Sequence, residues 1–149
     1  NNAARILCNN YPGGYTACVR AMNEKVRLMG LSNTKFVEPT GLSPMNVSTA
    51  DELVNIVIEA SKYPDIVLAA RSSEIKIKAR KKWLIFPNTN PIVGKRHNLI
   101  VSKTGYIRAS GGCIVMMLNT KIGQRIVVLL NSKNTHTRIP EANQLATSF

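Results

Sequence analysis

Two apolar runs near the C-terminus, Cys113–Leu118 and Ile126–Leu130, constrain this chain more than any other feature. Both are strand-sized, neither alternates with polar residues, and they flank Asn119–Gln124, a hairpin connection. A strand that is apolar at every position needs cover on both faces, so helices must lie on each side of such a sheet. The first half of the chain has the period to supply them. Cys18, Val19, Met22, Val26 and Met29 recur at three-and-four spacing, which predicts a helix over about Tyr15–Met29, with Gly30 placed to end it. Leu53, Val54, Val57 and Ile58 predict another after Ser48–Asp51, a stretch resembling a capping box with Asp in place of Glu. Tyr63–Arg71 reads as a short helix with Pro64 in its first turn, where a missing N–H costs nothing. Ala3–Cys8 reads as the tail of a helix that began earlier, broken by Asn9–Tyr15.

After Arg71 the period shortens to two. Ile75, Ile77 and Ala79 alternate with Lys76, Lys78 and Arg80, which predicts a half-buried strand with a basic outer face and Trp83–Phe86 as its hairpin partner. Leu99–Ile107 is a further candidate strand, and Ile139–Phe149 reads as a closing helix. The turn-rich Leu31–Val47 is too apolar for a linker and reads as a loop packed on the core. Helices first and strands last give one α+β domain over residues 1–149, with an antiparallel sheet towards its C-terminal end.

Charge raises the question of partners. The net charge of +12 permits nucleic acid, an anionic membrane surface or an anionic polymer. Aromatic residues make up only 5% of the chain and are not interleaved with the cations, as a single-strand nucleic-acid binder would need, so no nucleic acid is expected. No apolar run is long enough to cross a membrane. The opening residues lack the charged start and long apolar centre of a signal peptide. The cysteines are Cys8, Cys18 and Cys113; an odd count excludes a complete internal set of disulfides. No CxxC pair exists, and His97 and His136 lie at no metal-ligand spacing from them, so neither metal nor cofactor is expected. Buried free thiols are the default, and a Cys8–Cys18 disulfide stays open for an oxidising compartment.

One strand candidate carries a chemical anomaly. In Leu99–Cys113, LIVSKTGYIRASGGC, an ammonium group interrupts apolar sequence, and Lys103, Thr104 and Gly105 form a KTG triplet. Taken alone, Lys103 is a strand-edge lysine reaching water, and Gly105 marks a place where a ligand or another backbone comes close. Its surroundings are more specific. Together with YPGGY at Tyr11–Tyr15, the stretch Ala21–Leu53 containing FVEPTGL, NTN at Asn88–Asn90, and KTGYIRASGGC at Lys103–Cys113, the chain resembles the low-molecular-mass penicillin-binding proteins. These are serine D-alanyl-D-alanine carboxypeptidases and endopeptidases, and the similarity is to the endopeptidase branch in particular.

That resemblance implies a partial β-lactamase/D,D-peptidase-like fold and acyl transfer through a serine ester, with three motifs in the order SxxK, S-x-N, KTG. It implies peptidoglycan peptides as substrate, β-lactams as inhibitors and a periplasmic location. By the same resemblance Lys103 supplies fixed positive charge, and Thr104 and Gly105 line a strand on which substrate adds. The Tyr106 N–H is one oxyanion donor. Asn1 resembles the terminal asparagine of S-x-N, holding the substrate amide, so the motif's serine and all of SxxK would lie in a missing N-terminal portion. This chain alone is then expected to be inactive. The literal strings Ser32–Lys35 and Ser73–Lys76 read as coincidences, and Ser132–Asn134 falls out of order. Ile107 stands where the family often has threonine, which removes a hydroxyl near the substrate. Two further readings stay open: a D-alanyl-D-alanine carboxypeptidase, and a non-catalytic peptidoglycan-binding fragment.

Overall fold

The computed structural model describes residues 1–148. The elements run α1 (Asn2–Asn9), α2 (Gly14–Leu28), α3 (Ala50–Ala60), α4 (Pro64–Arg71), β1 (Glu74–Ala79), β2 (Lys82–Pro87), β3 (Leu99–Ile107), β4 (Gly111–Thr120), β5 (Gly123–Ser132) and α5 (Thr135–Thr147). The fold is α+β, as the periods predict. Phe149, assigned to the closing helix from sequence, lies outside the described residues.

The apolar runs form the centre. β3, β4 and β5 make an antiparallel sheet in that order, so β4 is paired on both sides and β3 is an edge. Ile114, Met116 and Leu118 of β4 pack with Ala142 and Ala146 of α5, joined by Ile92, Val93, Leu99 and Val127. The opposite face packs Val101 and Met117 on Val57 of α3, with Val67 and Ala70 of α4 beside them. The two-sided cover that an unbroken apolar strand demands is therefore supplied by α5 on one face and α3 and α4 on the other. Each fully buried side chain of β4 is worth roughly 1.5–3 kcal/mol over an exposed one. Lys103 pairs with Val115 and Gly105 with Cys113, on the face that Val101 and Met117 share. Two residues beyond buried Val101, Lys103 has left the covered part of that face and is exposed.

Local signals mostly hold. Gly30 has φ +74° and ends α2, with Gly30 N–H donating to Arg27 O and Leu31 N–H to Val26 O, the paired bonds of a Schellman turn. Three expectations need correction. The N-cap of α3 is Thr49, whose side chain accepts from Glu52 N–H at 3.3 Å, so the capping stretch is one residue later than Ser48–Asp51. The Glu52 carboxylate does not turn back to the cap; it accepts from the Asn33 N–H and the Thr34 hydroxyl. The β1–β2 hairpin is not half-buried, since each of its strand residues is exposed. Alternation in sequence records which face a residue occupies, and here nothing among the described residues covers either face. Finally, Cys8 and Cys18 are not free thiols but a disulfide with Cα atoms 5.3 Å apart, joining α1 to α2, while Cys113 stays free.

Candidate active site

β3 carries the site because it is an edge strand. Its outer side borders a cavity of about 570 Å³, whose lining includes Asn1, Lys103, Thr104, Gly105 and Tyr106. Every site residue expected from the sequence thus meets in one place, though Asn1 and Lys103 are far apart in the chain. Asn1 is the N-cap of α1, and its side chain makes no capping bond, so its amide is free to face the cavity. Among the described residues no serine lines this cavity. Ser32 instead borders a separate groove under α2, and Ser132 is buried with its hydroxyl donating to Glu141.

The glycine of KTG is informative for what does not crowd it. A Cβ at Gly105 would meet nothing of the protein nearer than the Cβ of Cys113 at 3.8 Å. The protein's own packing does not demand glycine there, whereas an extended ligand laid along the edge would. Thr104 is buried, and its hydroxyl shares a 2.6 Å hydrogen bond with that of Thr89. Thr89 is itself held by its neighbours. Asn90 is buried and donates to the Ser102 hydroxyl at 3.0 Å, while Asn88 donates to Ser72 O at 2.9 Å. The NTN stretch is thus a clamp on the inner face of β3.

Arg138 is the residue that sequence reasoning missed. It sits one turn into α5, is buried, lines the cavity, and donates from Nη1 to Gly105 O at 2.7 Å. Its Nε is buried without a partner. Nothing in THTRIP marks this arginine as different from the other cations. A close approach of backbones places it: a Cβ on Gly112 would lie 2.7 Å from Asn134 O and 3.2 Å from the Cβ of Arg138, so only glycine lets the start of α5 seat against β4. Burial and the Arg138 charge both push the Lys103 ammonium below the ordinary lysine pKa; the open cavity keeps part of it in water. Its Nζ donates to Thr104 O. Among the described residues no carboxylate forms a salt bridge with Lys103 or Arg138. Two cations face one cavity with neither paired to a carboxylate, since Glu38 across the cavity is held by its own loop, and Arg138 has an unsatisfied donor, so the arrangement can receive a carboxylate.

The opposite wall is the loop from Phe36 to Asn46, organised by one half-buried carboxylate. Burial opposes the charge of Glu38, but bonds from Thr40 Oγ1 and from backbone N–H groups of the loop, those of Thr40 and Ser43 among them, outweigh it and hold the pKa at about 2; the Leu42 N–H and Asn46 Nδ2 also donate to it. FVEPTGL therefore folds around its own acid, with Gly41 at φ +76° closing the turn.

Residues 1–134 match the peptidase S11 family, D-alanyl-D-alanine carboxypeptidase. The chain belongs to the S11 peptidases. Among S11-like relatives, it is 37% identical to the D-alanyl-D-alanine endopeptidase of Escherichia coli K12, over 99% of this chain and 48% of that one. To the endopeptidase of Pseudomonas aeruginosa it is 36% identical, over 97% of this chain and 48% of the relative. It thus spans about half the length of these relatives. The Streptomyces K15 DD-transpeptidase shares its fold with TM-score 0.89 at 22% identity, over 98% of this chain and 61% of that structure. Penicillin-binding protein D2 of Listeria monocytogenes, in its cefotaxime-bound form, does so with TM-score 0.83 at 22% identity, over 99% of this chain and 60% of that one. The α+β, D,D-peptidase-like fold expected from the sequence is therefore the fold observed. Among the described residues, no three His, Cys, Asp or Glu side chains gather to hold a metal ion, and no helix is long and apolar enough to cross a membrane.

Proposed function

We propose that the protein to which this chain belongs is a serine D,D-peptidase that cuts peptidoglycan cross-links through an acyl-enzyme and is acylated by β-lactams. The observation that carries this is the meeting of Asn1, Lys103, Thr104, Gly105 and Tyr106 on one cavity, with the buried Arg138 beside them. Substrate adds along the free edge of β3, with Gly105 leaving room for its backbone. Lys103 and Arg138 hold a carboxylate of the D-amino-acid leaving side and lower the cost of charge at the reacting centre. The Tyr106 N–H is one donor to the oxyanion, and the Asn1 amide holds the substrate amide.

The acylating serine is not among the cavity's lining residues. In this reading it comes from the part of the parent protein that the relatives have beyond the matched region, and the chain alone is inactive. The names of the two relatives above 35% identity favour an endopeptidase over a carboxypeptidase. A disulfide between Cys8 and Cys18 suits an oxidising compartment, which supports a periplasmic setting.

The test is acylation of the longer protein by a labelled β-lactam. Labelling is expected, and Lys103→Ala should slow it by about two orders of magnitude, the scale of a lost electrostatic donor. Undiminished labelling of the variant removes Lys103 from the mechanism. A longer protein that takes no label would instead favour a non-catalytic peptidoglycan-binding module.

A further inference from the structure

The β1–β2 hairpin stands apart from the machinery above and from the core. Its six cross-strand pairs run from Glu74 with Pro87 to Ala79 with Lys82. An isolated two-stranded hairpin is marginal in water, and this one presents large apolar side chains with nothing over them. Ile75 pairs with Phe86 and Ile77 with Leu84, giving an apolar face of neighbouring pairs that are about half exposed. On the other face Trp83, 64% exposed, lies across from Lys78, and Ile85 across from Lys76. The turn adds Arg80 and Lys81, and Lys82 follows. Against these cations stands Glu74, within 3.2 Å of Lys76.

The combination selects the partner. A protein cover would bury the apolar face, but lysine is depleted from the cores of protein–protein interfaces, and lysines along both strands oppose addition of a further strand. A soluble polyanion would use the cations and leave four aliphatic and two aromatic side chains unexplained. A bilayer carrying anionic headgroups uses both. The apolar face rests at the acyl boundary, Trp83 sits at headgroup level, and the lysine and arginine stems run up to phosphate. We propose that this hairpin is a peripheral docking element for an anionic phospholipid surface.

Trp83 is the sole tryptophan, so it reports on the hairpin directly. The purified chain is mixed with vesicles of phosphatidylglycerol and phosphatidylethanolamine, or of phosphatidylcholine alone. With the anionic vesicles, Trp83 emission should move to the blue and be quenched by lipids brominated near the headgroup; with phosphatidylcholine it should not change. Replacing Lys76, Lys78 and Arg80 with Gln should weaken partitioning about fivefold per charge removed, the weight of one cation near an anionic surface. Leu84→Ser with the charges intact should weaken it too. Because the hairpin packs on itself, thermal unfolding should be unchanged in these variants, which separates lost docking from lost fold. Three results would overturn the proposal. Trp83 could stay exposed with anionic vesicles. Polyglutamate could bind as tightly as the vesicles while neither moves the emission. Or, in the longer protein without lipid, Trp83 could already be shielded from aqueous quencher, which would mean a protein cover.

Discussion

Thr89 and Lys103 show how much rests on single polar atoms at the edge of β3. Thr89 Oγ1 is bonded to Thr104 Oγ1 at 2.6 Å and fixes where the KTG hydroxyl points. Thr89→Val keeps the shape and deletes the bond, worth about 1 kcal/mol. β-Lactam acylation of the longer protein should fall several-fold, Thr89→Ser should restore it, and a melting curve should barely separate the two variants. Lys103 sets a pH dependence. Burial and then Arg138 depress its pKa from the ordinary 10.5. The proposed mechanism needs the charged form, so acylation should fall as pH rises, with an alkaline limb below the ordinary lysine value. Lys103→Arg, which cannot lose its proton in this range, should remove the limb in whatever activity survives. A limb at or above 10.5 would mean that the ammonium is not desolvated as described.

At the scale of elements, the loop around Glu38 is the clearest case of local sequence writing local structure. A glutamate held at about 2 rather than 4.5 stabilises the folded loop above its ordinary pKa, and that contribution is lost as pH falls through about 2. The amide proton shifts of Thr40, Leu42 and Ser43 should titrate together near that lower value; titration near 4.5 would show that the carboxylate is not the hub. The same scale shows what could be seen in advance. β3 was legible to the residue because Leu99 and Ile107 bound a strand interrupted only by its own chemistry. The candidate site residues came from the resemblance that KTG, NTN and FVEPTGL carry, and they line one cavity. Arg138 was not legible, because its role depends on Gly112 admitting α5 against β4, a contact between stretches that share no period. The hairpin was misjudged in the opposite sense: alternation fixed its faces correctly, but burial depends on what else is near, and period carries no information on that.

At the scale of the molecule, the disulfide ties α1 to the rest. Cys8 and Cys18 close a loop of 10 residues, and removing such a link costs roughly 3 kcal/mol by the chain-entropy argument. Reduction should therefore lower the melting temperature by several degrees. It should also loosen Asn1, which no side-chain bond holds at the head of α1. Unchanged melting after complete reduction would show that α1 is held by packing alone. The edge position of β3 has another side. A strand with one unbonded flank is a template for any extended chain, including the same strand from a second copy turned end for end. Two copies meeting that way would bring two Lys103 ammonium groups and two buried Arg138 guanidinium groups together with no carboxylate paired to any of them. The charge proposed to receive a carboxylate would thus also oppose such self-pairing.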